Sequence, residues 1–248
     1  MLLHALVSAV ALTAVLLWVF IVWFPSPFAE MLRIDNFFLI IAIVDFCLGP
    51  LITLVIYNPL KSQKELLFDY IIITLLQVGV LLYGLYTLSE SRPVYVVFVK
   101  DRLEVVVAGD FDAERLAKSS LLEYKVLPHF GPRSICSNRP QTPEETNHLL
   151  FSGYDVQHMP KYFRPCNAGE LVKSAYPVER LLSIINTYKA QRPDQEQVLD
   201  GLLREVSRVS HQSEVVWLPV THRFGAWVAL INVESGQVNR YINVNPFQ

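Results

Sequence analysis

The sequence predicts a membrane protein: an N-terminal three-helix transmembrane bundle followed by an α+β soluble domain with an antiparallel sheet. Three observations carry that expectation. Three long apolar runs occur before Leu88, the composition turns abruptly to that of a globular protein at Arg92, and strand-like runs flank helical patterns in the second part. The expected organisation is a transmembrane domain over 1–90, with spans at about 2–24, 37–57 and 70–88, and a soluble domain over 91–248.

A hydrocarbon core of about 30 Å takes roughly 20 apolar residues at 1.5 Å each. Leu2–Phe24 supplies the first run and stops at Pro25-Ser26-Pro27. Phe37–Tyr57 supplies the second and stops at Asn58-Pro59, and Tyr70–Leu88 supplies the third. Trp18, Trp23, Phe24, Tyr57, Tyr70, Tyr83 and Tyr86 lie toward the ends of these runs, where amphipathic rings prefer the interface. Ala9-Val10-Ala11 weakly fits a signal-peptidase site. The first run nevertheless reads as an uncleaved anchor, because it lacks a basic leader and exceeds a usual signal core. The first loop carries Arg33 and the second carries Lys61 and Lys64. The positive-inside rule therefore puts the second loop and the N-terminus in the cytoplasm and the C-terminal domain outside, in the periplasm of a bacterial inner membrane.

From Arg92 onward, 18 Lys and Arg nearly balance 17 Asp and Glu. That balance gives no reason to expect nucleic acid as a partner, which favours a clearly basic face. About 155 residues are enough for one independent core. Cys47 sits in the second span as a small apolar residue. Cys136 and Cys166 both fall in Pro-rich stretches of the soluble domain; they pair as a disulfide in an oxidising compartment and otherwise remain two thiols.

Val94–Val99 and Leu103–Ala108 read as a hairpin turning at Lys100-Asp101-Arg102. A short helix follows within Asp112–Lys118. Thr142-Pro143-Glu144-Glu145 is a helix start, with a capping Thr, Pro in the first turn and Glu at the capping-box position, and the helix runs to Phe151. Val178–Ala190 has helical spacing. Another helix runs from Pro193 to Val206, burying Val198, Leu199, Leu202, Leu203 and Val206. Val215–Val220, Ala226–Val233 and Val238–Val244 read as strands, with Pro219 marking the first as an edge or a bulge.

The sequence shows no constellation for catalysis. It has no phosphate-binding Gly-rich loop and no nucleophile elbow, and His129, His148, His158, His211 and His222 are scattered without metal spacing. The expectation is no enzyme, no cofactor and no metal. The unusual chemistry is in the membrane region. Asp45 lies near mid-depth of the second span, with Gly49-Pro50 one turn later. A carboxylate at that depth is costly and faces a partner, a cavity or a neighbouring helix. Proline frees a carbonyl, and glycine admits close helix approach. Asp45 either bonds Gln77 of the third span, is protonated with no outside ligand, or meets a group from outside the chain.

The stretch Asp45-Phe46-Cys47-Leu48-Gly49-Pro50-Leu51-Ile52-Thr53-Leu54, with Tyr57-Asn58-Pro59 and Lys61, resembles the second span of the type IV pilin accessory proteins (the TfpX/TfpZ group, also described as FimB-like). Gln77 with Tyr83-Gly84-Leu85-Tyr86, then Arg92-Pro93-Val94-Tyr95-Val96-Val97-Phe98, extend the resemblance. So do Leu127-Pro128, Gly131-Pro132, Leu218-Pro219-Val220 and Ser235-Gly236, which carry it over nearly the whole chain. The resemblance implies a non-enzymatic inner-membrane factor that acts with its cognate major pilin, promoting pilus assembly or opposing retraction. It implies the pilin, other inner-membrane assembly components and lipid as partners. The residues read here as meeting the pilin are Asp45, Gly49, Pro50, Asn58, Pro59 and Gln77. Asp45 would pair with a cationic group such as the N-terminal amine of the pilin helix. The competing readings are a membrane-anchored pilin-modifying enzyme and a sensor with an outer ligand-binding domain.

Overall fold

The structure, a computed structural model, describes residue 10, residues 13–34 and residues 62–247. The chain divides into two compact units: Met1–Arg92 with His129–Gly131, and Pro93–Pro128 with Pro132–Gln248.

In the first unit an apolar helix, Thr13–Trp23, ends in a π-helical turn over Val19–Trp23, which the Phe24 N–H closes onto the Val19 carbonyl at 3.0 Å. A single helical turn follows at Phe28–Met31. Helix α1 spans Gln63–Ser91. Ser62 caps it reciprocally with Glu65: the Glu65 N–H donates to the Ser62 hydroxyl and the Ser62 N–H donates to the Glu65 carboxylate at 2.7 Å. Its 29 residues make a helix about 43 Å long. Residues 70–89 carry no charged side chain, a run about 30 Å long that matches the hydrocarbon thickness. Hydroxyls near its end satisfy themselves on the helix, Thr87 donating to the Tyr83 carbonyl and Ser89 to the Tyr86 carbonyl. Arg92 closes the terminus by donating to the Ser89 carbonyl at 2.7 Å.

The three-helix bundle expected from the sequence is not what the described residues establish. Among them one helix, α1, is long and apolar enough to cross a membrane. It contains the expected 70–88 span and starts seven residues earlier, because the Ser62–Glu65 cap begins the helix in the polar flank. The described helix Thr13–Trp23 falls within the expected 2–24 span, of which residues 2–9, 11 and 12 lie outside the described residues. The expected span at 37–57 lies outside the described residues.

The second unit is an α+β domain around one sheet with strand order β4-β3-β1-β2-β6-β7-β8, plus β5 paired to β6. The strands are β1 Pro93–Val99, β2 Arg102–Val107, β3 Arg133–Ser137, β4 Phe163–Arg164, β5 Tyr176–Pro177, β6 Val215–His222, β7 Gly225–Asn232 and β8 Val238–Ile242. The helices are α2 Ala113–Ala117, α3 Pro143–Phe151, α4 Ala168–Ser174, α5 Val178–Gln191 and α6 Glu196–Gln212. The β1–β2 hairpin turns at Lys100, which takes the left-handed conformation at φ 59°. α3 begins where the sequence placed it, with Thr142 accepting from the Glu145 N–H. The Glu145 carboxylate reaches back one residue further than a capping box requires, to the Gln141 N–H at 2.8 Å.

The sheet is mixed rather than antiparallel: β1 runs parallel to β3, and β2 parallel to β6. Both parallel pairs join strands far apart in sequence, so no local turn announces them. Pro219 does not mark an edge. β6 pairs with β7 along its whole length, with β5 at Val216 and Trp217, and with β2 at Val220 and Thr221. The proline, which has no N–H to give, falls between those last two contacts, where β6 changes neighbour. Val198, expected in the core, is 65% exposed. The buried stripe of α6 runs through Leu199 and Val206, with Leu202, Leu203 and Val209 beside it, and Val198 is one position off that stripe.

α5 and α6 cover one half of the sheet. Leu181, Ile185, Tyr188, Leu199 and Val206 pack on Trp217, Val228, Leu230 and Ile242. The Tyr188 hydroxyl donates to the Asn245 carbonyl at 2.7 Å and holds the C-terminal segment. In the other half, Tyr95 stands edge-on to Phe111, Tyr124 and Phe163 with ring centroids 5.9, 6.2 and 5.4 Å away. The β7–β8 turn holds Gly236 at φ +65°, where an added Cβ would come within 2.5 Å of the Ala168 Cα at the start of α4. Gly236→Ala is expected to cost about 1–3 kcal/mol from overpacking alone, with left-handed strain added. A thermal melt of the purified chain checks this, and an unchanged midpoint would show that α4 and the turn are not in contact.

Candidate partner-binding surfaces

Two surfaces, one in each unit, have the character of a binding site. In the first unit, Ile73, Gln77, Val80, Leu81, Gly84 and Leu88 recur at three- and four-residue steps along α1 and form its less exposed stripe. Ile73 and Leu88 are 3% and 1% exposed, whereas Leu75, Leu82 and Tyr83 on other faces are 61–73% exposed. Gln77 therefore lies on the packing stripe rather than on an open apolar face. Its amide is the one strongly polar group on that stripe, and Gly84 is its narrowest point. Asp45, Gly49, Pro50, Asn58 and Pro59 lie outside the described residues.

In the second unit a cavity of about 680 Å³ borders the sheet. Val96 of β1 and Leu103 of β2, on one face of the sheet, line it, and Ile135 of β3, Leu171 of α4 and Tyr241 of β8 also border it. Burial pushes the Tyr241 phenol up to about 12, so it stays neutral across the physiological range. Glu123 and Arg133 sit at the rim. Cys166 also lines the cavity and is disulfide-bonded to Cys136 of β3, with Cα atoms 4.9 Å apart. The bond joins β3 to the loop that leads into α4. Arg164 reinforces the same corner, donating to both Glu170 oxygens at 2.6 and 2.8 Å and to Asn138 at 2.7 Å.

A second cleft of about 600 Å³ lies between α2, α3 and the 154–162 segment. Its charges are largely matched within its own walls: Arg115 with Asp112 at 2.7 Å, Lys118 with Glu114 at 2.7 Å and Lys161 with Glu145 at 2.6 Å. The Arg115 guanidinium also lies 3.8 Å from the Tyr154 ring centre. Such self-paired walls leave little charge to recognise a ligand. Among the described residues, no group of three or more His, Cys, Asp and Glu side chains could hold a metal ion.

The structure thus pairs Cys136 with Cys166 and sets Gln77 on the α1 stripe. The cavity residues Tyr241, Arg133 and Glu123 were not singled out in the sequence. They come from β8, β3 and the turn after α2, and no spacing rule links such distant positions.

The chain is similar along its length to proteins of Dichelobacter nodosus. It is 26% identical over 251 residues to the fimbrial assembly protein of serogroup E1, spanning 99% of this chain and 94% of that protein. The serogroup I fimbrial assembly protein gives the same identity and coverage. The fimbrial assembly protein of serogroups C1 and C2 is 32% identical over 116 residues, which is 47% of this chain and 88% of that protein. No family model matches the chain, and no solved structure matches it.

Proposed function

The chain belongs to the FimB-like family of fimbrial assembly proteins associated with type IV pili, and from that premise we propose that it is a non-enzymatic, membrane-held chaperone for its cognate major pilin. The observation that carries this reading is relatedness over 99% of the chain to proteins named for fimbrial assembly. A pilin subunit awaiting assembly presents an apolar helix in the bilayer and a folded head outside it. The reading divides the work between the two units. The Asp45–Pro59 segment would meet the pilin helix, its glycine allowing close approach and its polar groups holding it, while Gln77 and Gly84 lie on the packed stripe of α1. The cavity bordered by Val96, Leu103 and Tyr241 would meet the head, where one pilin differs from another. Other inner-membrane assembly components and lipid are further expected partners.

The disulfide supports placing the second unit in the periplasm, since such bonds persist in oxidising compartments. With that unit outside, the pilin head and the cavity share a compartment. Whether the chain promotes extension or opposes retraction, the same complex with pilin is required. Asp45→Asn and Gly49→Leu, each matched to wild-type protein level, are expected to lower the pilin that co-purifies with the tagged chain by about tenfold, as losing a buried polar contact of about 1.4 kcal/mol would. Wild-type recovery of pilin in both variants would rule out the membrane segment as the meeting place.

A further inference from the structure

We propose that Phe130 is a lipid anchor, its ring set into the bilayer at the headgroup boundary by the His129–Gly131 loop. That loop interrupts the sequence of the second unit but belongs to the first. The helix end it meets explains why. The Thr13–Trp23 helix runs out into Pro25 and Pro27, which have no N–H to offer its last carbonyls. Such a carbonyl is costly to leave unpaired where a bilayer excludes water. The Gly131 N–H supplies a partner, donating to the Val22 carbonyl at 3.0 Å. Gly131 does so at φ +41°, a conformation that glycine takes without penalty, and an added Cβ there would lie 3.4 Å from the Pro25 Cγ. The loop is therefore stitched to the end of an apolar helix, and next to the stitch Phe130 is 76% exposed.

The occupant follows from the level of that helix end and from the surface it continues. Trp18 and Trp23 stand edge-on with ring centroids 4.6 Å apart. The Arg92 guanidinium, at the end of α1, lies 5.9 Å from the Trp23 ring centre. The two apolar helices of the first unit thus finish beside each other at two indoles and an arginine. Indoles collect where acyl chains give way to headgroups, and an arginine there reaches the phosphates. Leu17, Trp18 and Ile21 on the same helix are 58%, 49% and 72% exposed, an apolar surface of the kind that acyl chains cover. The loop holds Phe130 at the outer edge of that surface, within the same unit, so lipid is the occupant that covers its ring. The inference rests on α1 crossing the membrane, and it gives the bilayer a hold on the chain well beyond α1 in sequence.

The test places the photoreactive residue p-benzoylphenylalanine at Phe130, Ile21 or Phe151 of the full chain in native membranes. Ile21 reports the bilayer, and Phe151, 87% exposed at the end of α3, reports an open aromatic position in the second unit. The proposal expects lipid adducts at Phe130 severalfold above those at Phe151 and of the same order as those at Ile21. Lipid adducts at Ile21 with no excess at Phe130 over Phe151 would overturn the anchor and leave the membrane helices standing. Absence of lipid at Ile21 as well would overturn both. A protein adduct at Phe130 in place of lipid would overturn the anchor in favour of a protein-binding surface.

Discussion

Cys136→Ser is expected to lower the stability of the second unit by about 3–4 kcal/mol, the loop-closure value for a 30-residue separation. For a unit of this size that is on the order of a 10 °C fall in melting temperature. The position explains why little else would compensate. β4 is two residues long and meets β3 through only the Cys136–Arg164 and Ser137–Phe163 pairs. Arg164 adds its pairing with Glu170, but those side chains are partly open to solvent, where ion pairs contribute little. Without the bond, β4 and the start of α4 would leave the sheet, and with them one wall of the cavity. Cys166→Ser should match Cys136→Ser, and reductant should bring the wild type to the same midpoint. Equal melting temperatures for wild type and variant under oxidising conditions would show that the bond does not hold the corner.

Trp217→Ala is expected to cost about 3–5 kcal/mol and to leave little folded protein in the cell. Trp217 is 2% exposed at the centre of the α5–α6 core. Its indole N–H donates to the Pro177 carbonyl at 3.0 Å, and its ring packs on Tyr176 with centroids 5.0 Å apart. The side chain therefore fills the core and also holds β5 against β6. Trp217→Phe separates the two roles: most of the packing returns, and the loss of the hydrogen bond should cost about 1 kcal/mol. Protein level by immunoblot and a denaturant melt check both. A Trp217→Phe variant as damaged as Trp217→Ala would place the weight on the hydrogen bond instead.

Local chemistry was legible in the sequence. The Thr142-Pro143 start of α3, the β1–β2 hairpin, the α5 pattern and the C-terminal meander are all written in neighbouring residues, and the structure has them within a few positions. What depends on distance was not. The two parallel pairs, the two-residue strands β4 and β5, and the cavity that joins β1, β3 and β8 arise from pairings 26 residues or more apart. Pro219 shows the limit well. The sequence says that it cannot donate, and only the topology says that it sits where β6 exchanges β5 for β2. Val198 is the same lesson in a helix, since an apolar residue one step from the stripe looks buried until the stripe is fixed. For the candidate site, Gln77 was legible as a polar residue in an apolar run. The Tyr241, Arg133 and Glu123 surface was invisible, because each residue is ordinary in its own segment.

The most direct measurement counts surface pili in a strain that lacks this chain, after restoring it beside either its own major pilin or a foreign one. A pilin-matched chaperone predicts loss of surface pili on deletion and recovery only with the matched pilin, the pilin mass unchanged throughout. Recovery with either pilin would contradict recognition of the pilin head, and a mass change on the pilin that tracks the chain would make it an enzyme instead.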